Sequence, residues 1–234
     1  MYIKDYEFRY SDIDKDGNIK VSTVLDLLQD ISIAHTAKVG LNTDKMRSMS
    51  VACLLEGWRI RFDEPLTADK KVTVETGITQ IHRCESIRRY EIRQGGRCKV
   101  TATAVWFTVD IAQMKIIRIP QIFFEVYEST SEPDNGLKYI KLRPQKDSLL
   151  LGEAKVESRD LDTNNHMNNA KSVEVAMNFL PQDFDISELR IKYCKELKKN
   201  ENIRIFSNQA DTQFHCEIRN ENDEPCVIIC ADRK

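Results

Sequence analysis

The chain has no long apolar run. Nothing in its 234 residues approaches the roughly 18 consecutive apolar residues that a membrane helix needs. Charge of one sign is not in excess either: 35 Lys and Arg stand against 37 Asp and Glu, for a formal net charge of −2. That balance gives no case for a nucleic-acid partner or a membrane-surface partner. An apolar leader is missing, and the seven cysteines, odd in number, fall at no metal-like spacing. These absences favour free thiols in a reducing cytoplasm and give no reason to expect a metal or another cofactor. His82 with Cys84 and His215 with Cys216 are too few ligands for zinc, and neither pair has a partner at a familiar spacing. What the chain does have is apolar content, 41% of its residues, enough for one large core or for two domains of about a hundred residues.

The most informative segment is Asp162-Thr163-Asn164-Asn165-His166-Met167-Asn168-Asn169. A solvated turn uses Asp and Asn as turn formers and helix caps, but it has no need of a histidine between them. A second copy of the frame lies near the N-terminus. There Ser11-Asp12-Ile13-Asp14-Lys15-Asp16-Gly17-Asn18-Ile19 matches Arg159-Asp160-Leu161-Asp162-Thr163-Asn164-Asn165-His166-Met167, with Asp12 and Asp160 148 positions apart. The frame repeats and the histidine does not, since Asn18 stands in its place. Asp12-x-Asp14-x-Asp16-Gly17 also looks like the start of a calcium loop, but Thr23 occupies the twelfth position instead of a bidentate glutamate.

The duplication extends further. Arg59-Ile60-Arg61-Phe62-Asp63-Glu64-Pro65-Leu66 matches Arg190-Ile191-Lys192-Tyr193-Cys194-Lys195-Glu196-Leu197, and Glu91-Ile92-Arg93 matches Glu217-Ile218-Arg219, in the same order. Each half predicts a strand-like lead, a helix and then several strands. In the first half Val24, Leu25, Leu27, Leu28, Ile31, Ala34 and Ala37 recur at helical spacing, with Ser22 as the expected cap and Gly40 as the stop. In the second, Asn168 or Asn169 caps a shorter helix through Val173, Ala176, Met177 and Leu180 that Pro181 closes. Period-two stretches at 72–75, 87–93, 203–206 and 214–219 predict strands, with hairpin turns at 94–97 and 220–223 and hence an antiparallel sheet. The expected organisation is α+β: residues 1–127, a polar linker at 128–147 that includes Ser129-Thr130-Ser131-Glu132-Pro133-Asp134-Asn135-Gly136, and residues 148–234. A helix wrapped by an antiparallel sheet, present twice, is the pattern of a hotdog fold duplicated in one chain. Fusing the pair protects the sheet edges that single hotdogs pair with one another.

The residues resemble the acyl-acyl carrier protein thioesterases, a family of double-hotdog enzymes. Its Asp-x-Asn-x-His-x-Asn-Asn motif is matched at Asp162, Asn164, His166, Asn168 and Asn169, and its Tyr-x-x-Glu element at Tyr193 and Glu196. Trp106-Phe107-Thr108-Val109-Asp110 and Arg118-Ile119-Pro120 are supporting marks. The resemblance implies hydrolysis of acyl carrier protein thioesters to free fatty acid, with one working site on the second half and the first half shaping an acyl groove. It implies a carrier protein bearing a phosphopantetheine-linked acyl chain as partner, and leaves a homodimer open. Plant members often place a cysteine directly after the glutamate; Leu197 stands there, which excludes a covalent cysteine mechanism at that position. Ser172 replaces a common tyrosine, Leu66-Thr67-Ala68-Asp69 replaces a Trp-Gly-acid turn, and a plastid targeting extension is absent, so the likeness is to bacterial forms.

Residue chemistry points the same way. Thioester hydrolysis needs an activated water and a stabilised oxyanion. His166 is a base that works near neutral pH. Asp162 can orient or charge-stabilise that imidazole, act as a base, or attack directly, and Glu196 can share the water. The side-chain amide of Asn164, and N–H groups near Asn168 and Asn169 at a helix start, can donate to an oxyanion. In a regular strand Glu196 would share a face with Cys194 and Lys192, so a bulge or strand end is needed to aim it; otherwise it is an exposed strand carboxylate. Arg88, Arg89, Arg93 and Arg97 suit either an acidic carrier protein or a solvated sheet face, and Trp58 and Trp106 suit core or groove wall. Two alternatives remain, an acyl-CoA thioesterase and a non-catalytic acyl-binding hotdog.

Overall fold

The computed structural model describes residues 1–127 and 135–234; the part of the expected linker at 128–134 lies outside the described residues. The chain divides into two compact units, Met1–Tyr139 and Ile140–Lys234. In chain order the first holds β1 (Tyr2–Tyr6), α1 (Val21–Lys38), α2 (Thr43–Ser48), β2 (Val51–Phe62), β3 (Val72–His82), β4 (Glu85–Gln94), β5 (Arg97–Asp110), β6 (Lys115–Ile116) and α3 (Gln121–Val126). The second holds β7 (Leu149–Lys155), α4 (Asn169–Met177), β8 (Ile186–Tyr193), β9 (Asn202–Ala210), β10 (Gln213–Arg219) and β11 (Pro225–Arg233).

Both units share one topology. The strand order is β1-β3-β4-β5-β2 in the first and β7-β9-β10-β11-β8 in the second, each pair antiparallel. The short β6 pairs with the end of β5. The segments that matched in sequence occupy equivalent strands, β2 with β8 and β4 with β10. The Gly95-Gly96 turn has both residues at positive φ, 59° and 80°, the geometry that a two-residue hairpin between β4 and β5 requires.

In the first unit the apolar face of α1, with Val24, Leu25, Leu28 and Ile31 all buried, packs toward β3. Tyr90 on β4 is fully buried, its hydroxyl 2.7 Å from Ser32 Oγ on α1, and its ring lies 5.0 Å from that of Trp58. Trp58 is therefore core, and truncating such a side chain costs about 3–5 kcal/mol. Two sequence expectations fail in this unit. Ser22 does not cap α1: the cap position is Lys20, without a side-chain bond, and Ser22 is buried in the first turn. Arg88 and Arg89 do not sit on a solvated face, being 4% and 9% exposed. Arg88 shares the pleat of Tyr90 and Ile92 and donates to His35 Nδ1 at 2.8 Å, while Arg89 lies near Glu91 on the next position of the pleat.

In the second unit α4 packs on β10 and β11, and Val173 and Ala176 on the helix and Phe214, Cys216 and Ile218 on β10 are all buried. The segment before β7 covers other residues of the same sheet: Leu142 joins Ile228 and Cys230, and Gln145 N–H donates to buried Glu217 at 2.6 Å. All seven cysteines are free thiols. No helix among the described residues is long and apolar enough to cross a membrane.

Candidate active site

The His166 segment is a five-residue turn fixed by its first residue. Asp162 N–H donates to the His166 carbonyl at 2.8 Å, and Asn165 N–H to the Asp162 carbonyl at 3.2 Å. The Asp162 carboxylate accepts the N–H of Asn164 at 2.8 Å and of His166 at 3.2 Å, with the Asn164 side-chain amide at 3.3 Å on its second oxygen. Asn165 takes φ 62°, a left-handed conformation that asparagine tolerates. Leu161 and Met167 pair across the base of the turn.

Glu196 reaches this turn because β8 stops early. The strand ends at Tyr193, and the N–H groups of Cys194 and Lys195 both donate to the Cys226 carbonyl, at 2.7 and 3.3 Å, a bulge that puts the following residues out of strand register. The chain then pairs with the turn instead: Met167 N–H donates to the Leu197 carbonyl at 2.7 Å, and His166 bridges to Lys198. Buried Leu197 anchors the segment, and Glu196 Oε2 lies 3.1 Å from His166 Nε2. Their side chains are 26% and 39% exposed, open enough for water to arrive.

The three asparagines have different surroundings. Asn168 is the N-cap of α4, its Oδ1 accepting from Ala170 N at 2.8 Å and Lys171 N at 3.3 Å, while its own N–H goes to the Asp160 carbonyl at 2.7 Å. Those groups are spent on the helix end. Asn164 is tied to Asp162. Asn169 has its carbonyl fixed by Ser172 Oγ at 2.7 Å and Tyr193 OH at 3.3 Å, whereas no described hydrogen bond uses its N–H or its side-chain amide. Of the expected oxyanion donors, the N–H and side-chain amide of Asn169 and the side-chain amide of Asn168 enter no described hydrogen bond and are left free to act.

The structure thus brings His166, Glu196, Asp162, Asn164, Asn168 and Asn169 into one corner of the second unit, but it does not place the Asp162 carboxylate on the imidazole as an orienter. Sequence reasoning missed the segment at 197–198, whose backbone carries Glu196 to the turn, and the Tyr193 hydroxyl on Asn169. Burial raises the thiols of Cys216, Cys226 and Cys230 to about 12, 11 and 11, which leaves those three unsuited to nucleophilic work.

Comparison with known proteins agrees with this architecture. The sequence model of the acyl-ACP thioesterase N-terminal domain matches residues 1–127, and that of the C-terminal domain matches residues 144–230. The chain is 20% identical to a chloroplastic palmitoyl-acyl carrier protein thioesterase of Gossypium hirsutum, over 98% of its own length and 62% of the relative's. Among solved structures, an acyl-ACP thioesterase from Bacteroides thetaiotaomicron superposes with TM-score 0.91 at 17% identity, covering 100% of this chain and 97% of that one. A 12:0-ACP thioesterase from Umbellularia californica superposes with TM-score 0.85 at 15% identity, covering 100% and 96%. At such identities the structural likeness establishes the fold.

Proposed function

Because the chain belongs to the acyl-ACP thioesterase family, we propose that it hydrolyses the thioester of acyl-acyl carrier protein to free fatty acid and holo carrier protein, at a single site in its second unit. The contact between His166 Nε2 and Glu196 Oε2 carries this reading. A carboxylate on Nε2 favours the tautomer protonated there and leaves Nδ1 with the lone pair, the arrangement of a base held by an acid. His166 then takes a proton from water as the water attacks the thioester carbonyl, and Glu196 stabilises the imidazolium that forms. The negative charge on the carbonyl oxygen is met by the N–H and side-chain amide of Asn169 at the start of α4, where the helix dipole also favours an anion. Collapse breaks the C–S bond, and the imidazolium returns its proton to the departing thiolate.

The first unit supports a division of labour: Asn18 stands where His166 stands and Pro65 where Glu196 stands, and neither can move a proton. The carrier is tested by measuring kcat/KM for one acyl chain presented on carrier protein and on CoA. A higher value on the carrier protein is expected; a strong CoA preference would replace this reading with an acyl-CoA thioesterase.

A further inference from the structure

The turn that presents His166 is built three times among the described residues. In Asp14–Asn18, Asp162–His166 and Asn220–Glu224 the first residue's N–H donates to the carbonyl of the fifth, at 2.8, 2.8 and 3.1 Å. The fourth residue's N–H returns to the first carbonyl, at 3.2, 3.2 and 3.0 Å. The first side chain accepts the N–H of the third and fifth residues through one oxygen: 2.9 and 2.8 Å at Asp14, 2.8 and 3.2 Å at Asp162, 3.1 and 3.0 Å at Asn220. In each the fourth residue is left-handed, Gly17 at φ 85°, Asn165 at 62° and Asp223 at 62°.

From this we infer that Asp162 is a positioning residue of the proposed hydrolysis, acting through the backbone N–H of His166 and not as a nucleophile, as a base or as a partner of the imidazole. Its bonds are those that Asp14 makes in a turn without a histidine, so they belong to the turn and not to the chemistry. Asn220 makes the same bonds with a neutral amide, so the geometry does not need the negative charge. The added bond from Asn164 is not needed either, because Asp16 at the matching position of the first copy has no amide to donate. What the turn achieves is a fixed start for the His166 side chain, with Met167 pinned to Leu197 and Glu196 brought alongside. A looser backbone would move the imidazole away from Glu196, and misplacement of about 1 Å can cost roughly 10²-fold in rate.

This inference rests on the hydrolysis proposed above, and its test has one arm that does not depend on activity. Amide hydrogen exchange read by NMR at Asn164 and His166 reports the turn itself: protection is expected to survive in Asp162→Asn and to be lost in Asp162→Ala. The kinetic arm measures kcat and KM for both variants on an acyl carrier protein thioester. Asp162→Asn is expected within about fivefold of wild-type kcat, because Asn and Asp serve alike as acceptors in such turns. Asp162→Ala is expected to lose about 10² in kcat with little change in KM. Asp14→Ala serves as the control, loosening the same turn in the first unit without that loss of kcat. An Asp162→Asn variant with protected amides and a kcat as low as that of Asp162→Ala would overturn the inference, because the carboxylate itself would then be required. So would an Asp162→Ala variant with full kcat. A wild type that hydrolyses no thioester while the amides respond as described would fail the functional reading and leave the anchoring of the turn standing.

Discussion

Glu196 and His166 meet through their side chains, while the backbone is held next to them by the His166–Lys198 bridge and the Met167–Leu197 bond, so a change confined to either side-chain end tests the chemistry with little cost to the fold. Glu196→Gln keeps the size and removes the charge; kcat is expected to fall about 10²–10⁴-fold, the usual worth of general acid–base assistance, with KM nearly constant. Asn169→Ala removes a donor that no described hydrogen bond employs, and steady-state assays are expected to show about a 10²–10³-fold loss in kcat. Elsewhere, His35 gives a stability signature. Its pKa is lowered from 6.5 to about 4, first by burial and then by the Arg88 guanidinium beside it and the nearby N-terminal amine. Native His35 therefore stays neutral between those values while the unfolded chain takes up a proton. Stability is unaffected by this group above about pH 6.5 and falls as the pH drops toward 4, at up to about 1.4 kcal/mol per pH unit. Urea melts of wild type and His35→Gln across that range are expected to show the steeper acid loss in wild type.

Among the elements, α4 depends on its cap. Asn168 satisfies two otherwise orphaned N–H groups of a nine-residue helix, and Asn168→Ala is expected to cost about 1 kcal/mol in chemical denaturation. The cap was legible in sequence because asparagine directly precedes an apolar period. The cap of α1 was not: Lys20 holds that position without a side-chain bond, and Ser22 only resembled a cap because it lies near the first apolar residue. Glu196 was legible as a residue, and the strand period already called for a bulge or strand end to aim it, but where it is aimed was not legible. Its aim depends on a bulge at Cys194 and Lys195 and on a bridge to Lys198, both fixed by tertiary pairing. The arginines of β4 misled for a related reason: grouping Arg88 with Arg89 and Arg93 ignores the pleat, which turns Arg88 toward α1 along with Tyr90.

Across the whole chain, duplication was the readable feature, since the residues that repeat are those that build the turn: the acceptor at Asp14 and Asp162, and the left-handed residue at Gly17 and Asn165. The residues that do not repeat mark the working copy. One site per chain is therefore expected, and Asn18→Ala should leave kcat unaltered in the same assay that Glu196→Gln depresses. Acid release tests hydrolysis at His166 most directly. Wild type and His166→Ala are incubated with a panel of acyl carrier protein thioesters, and free fatty acid is quantified by mass spectrometry. The expected result is release of at least one chain length by wild type and a loss of about 10² or more in His166→Ala. No release from any member of the panel, or equal release by the two proteins, would contradict it.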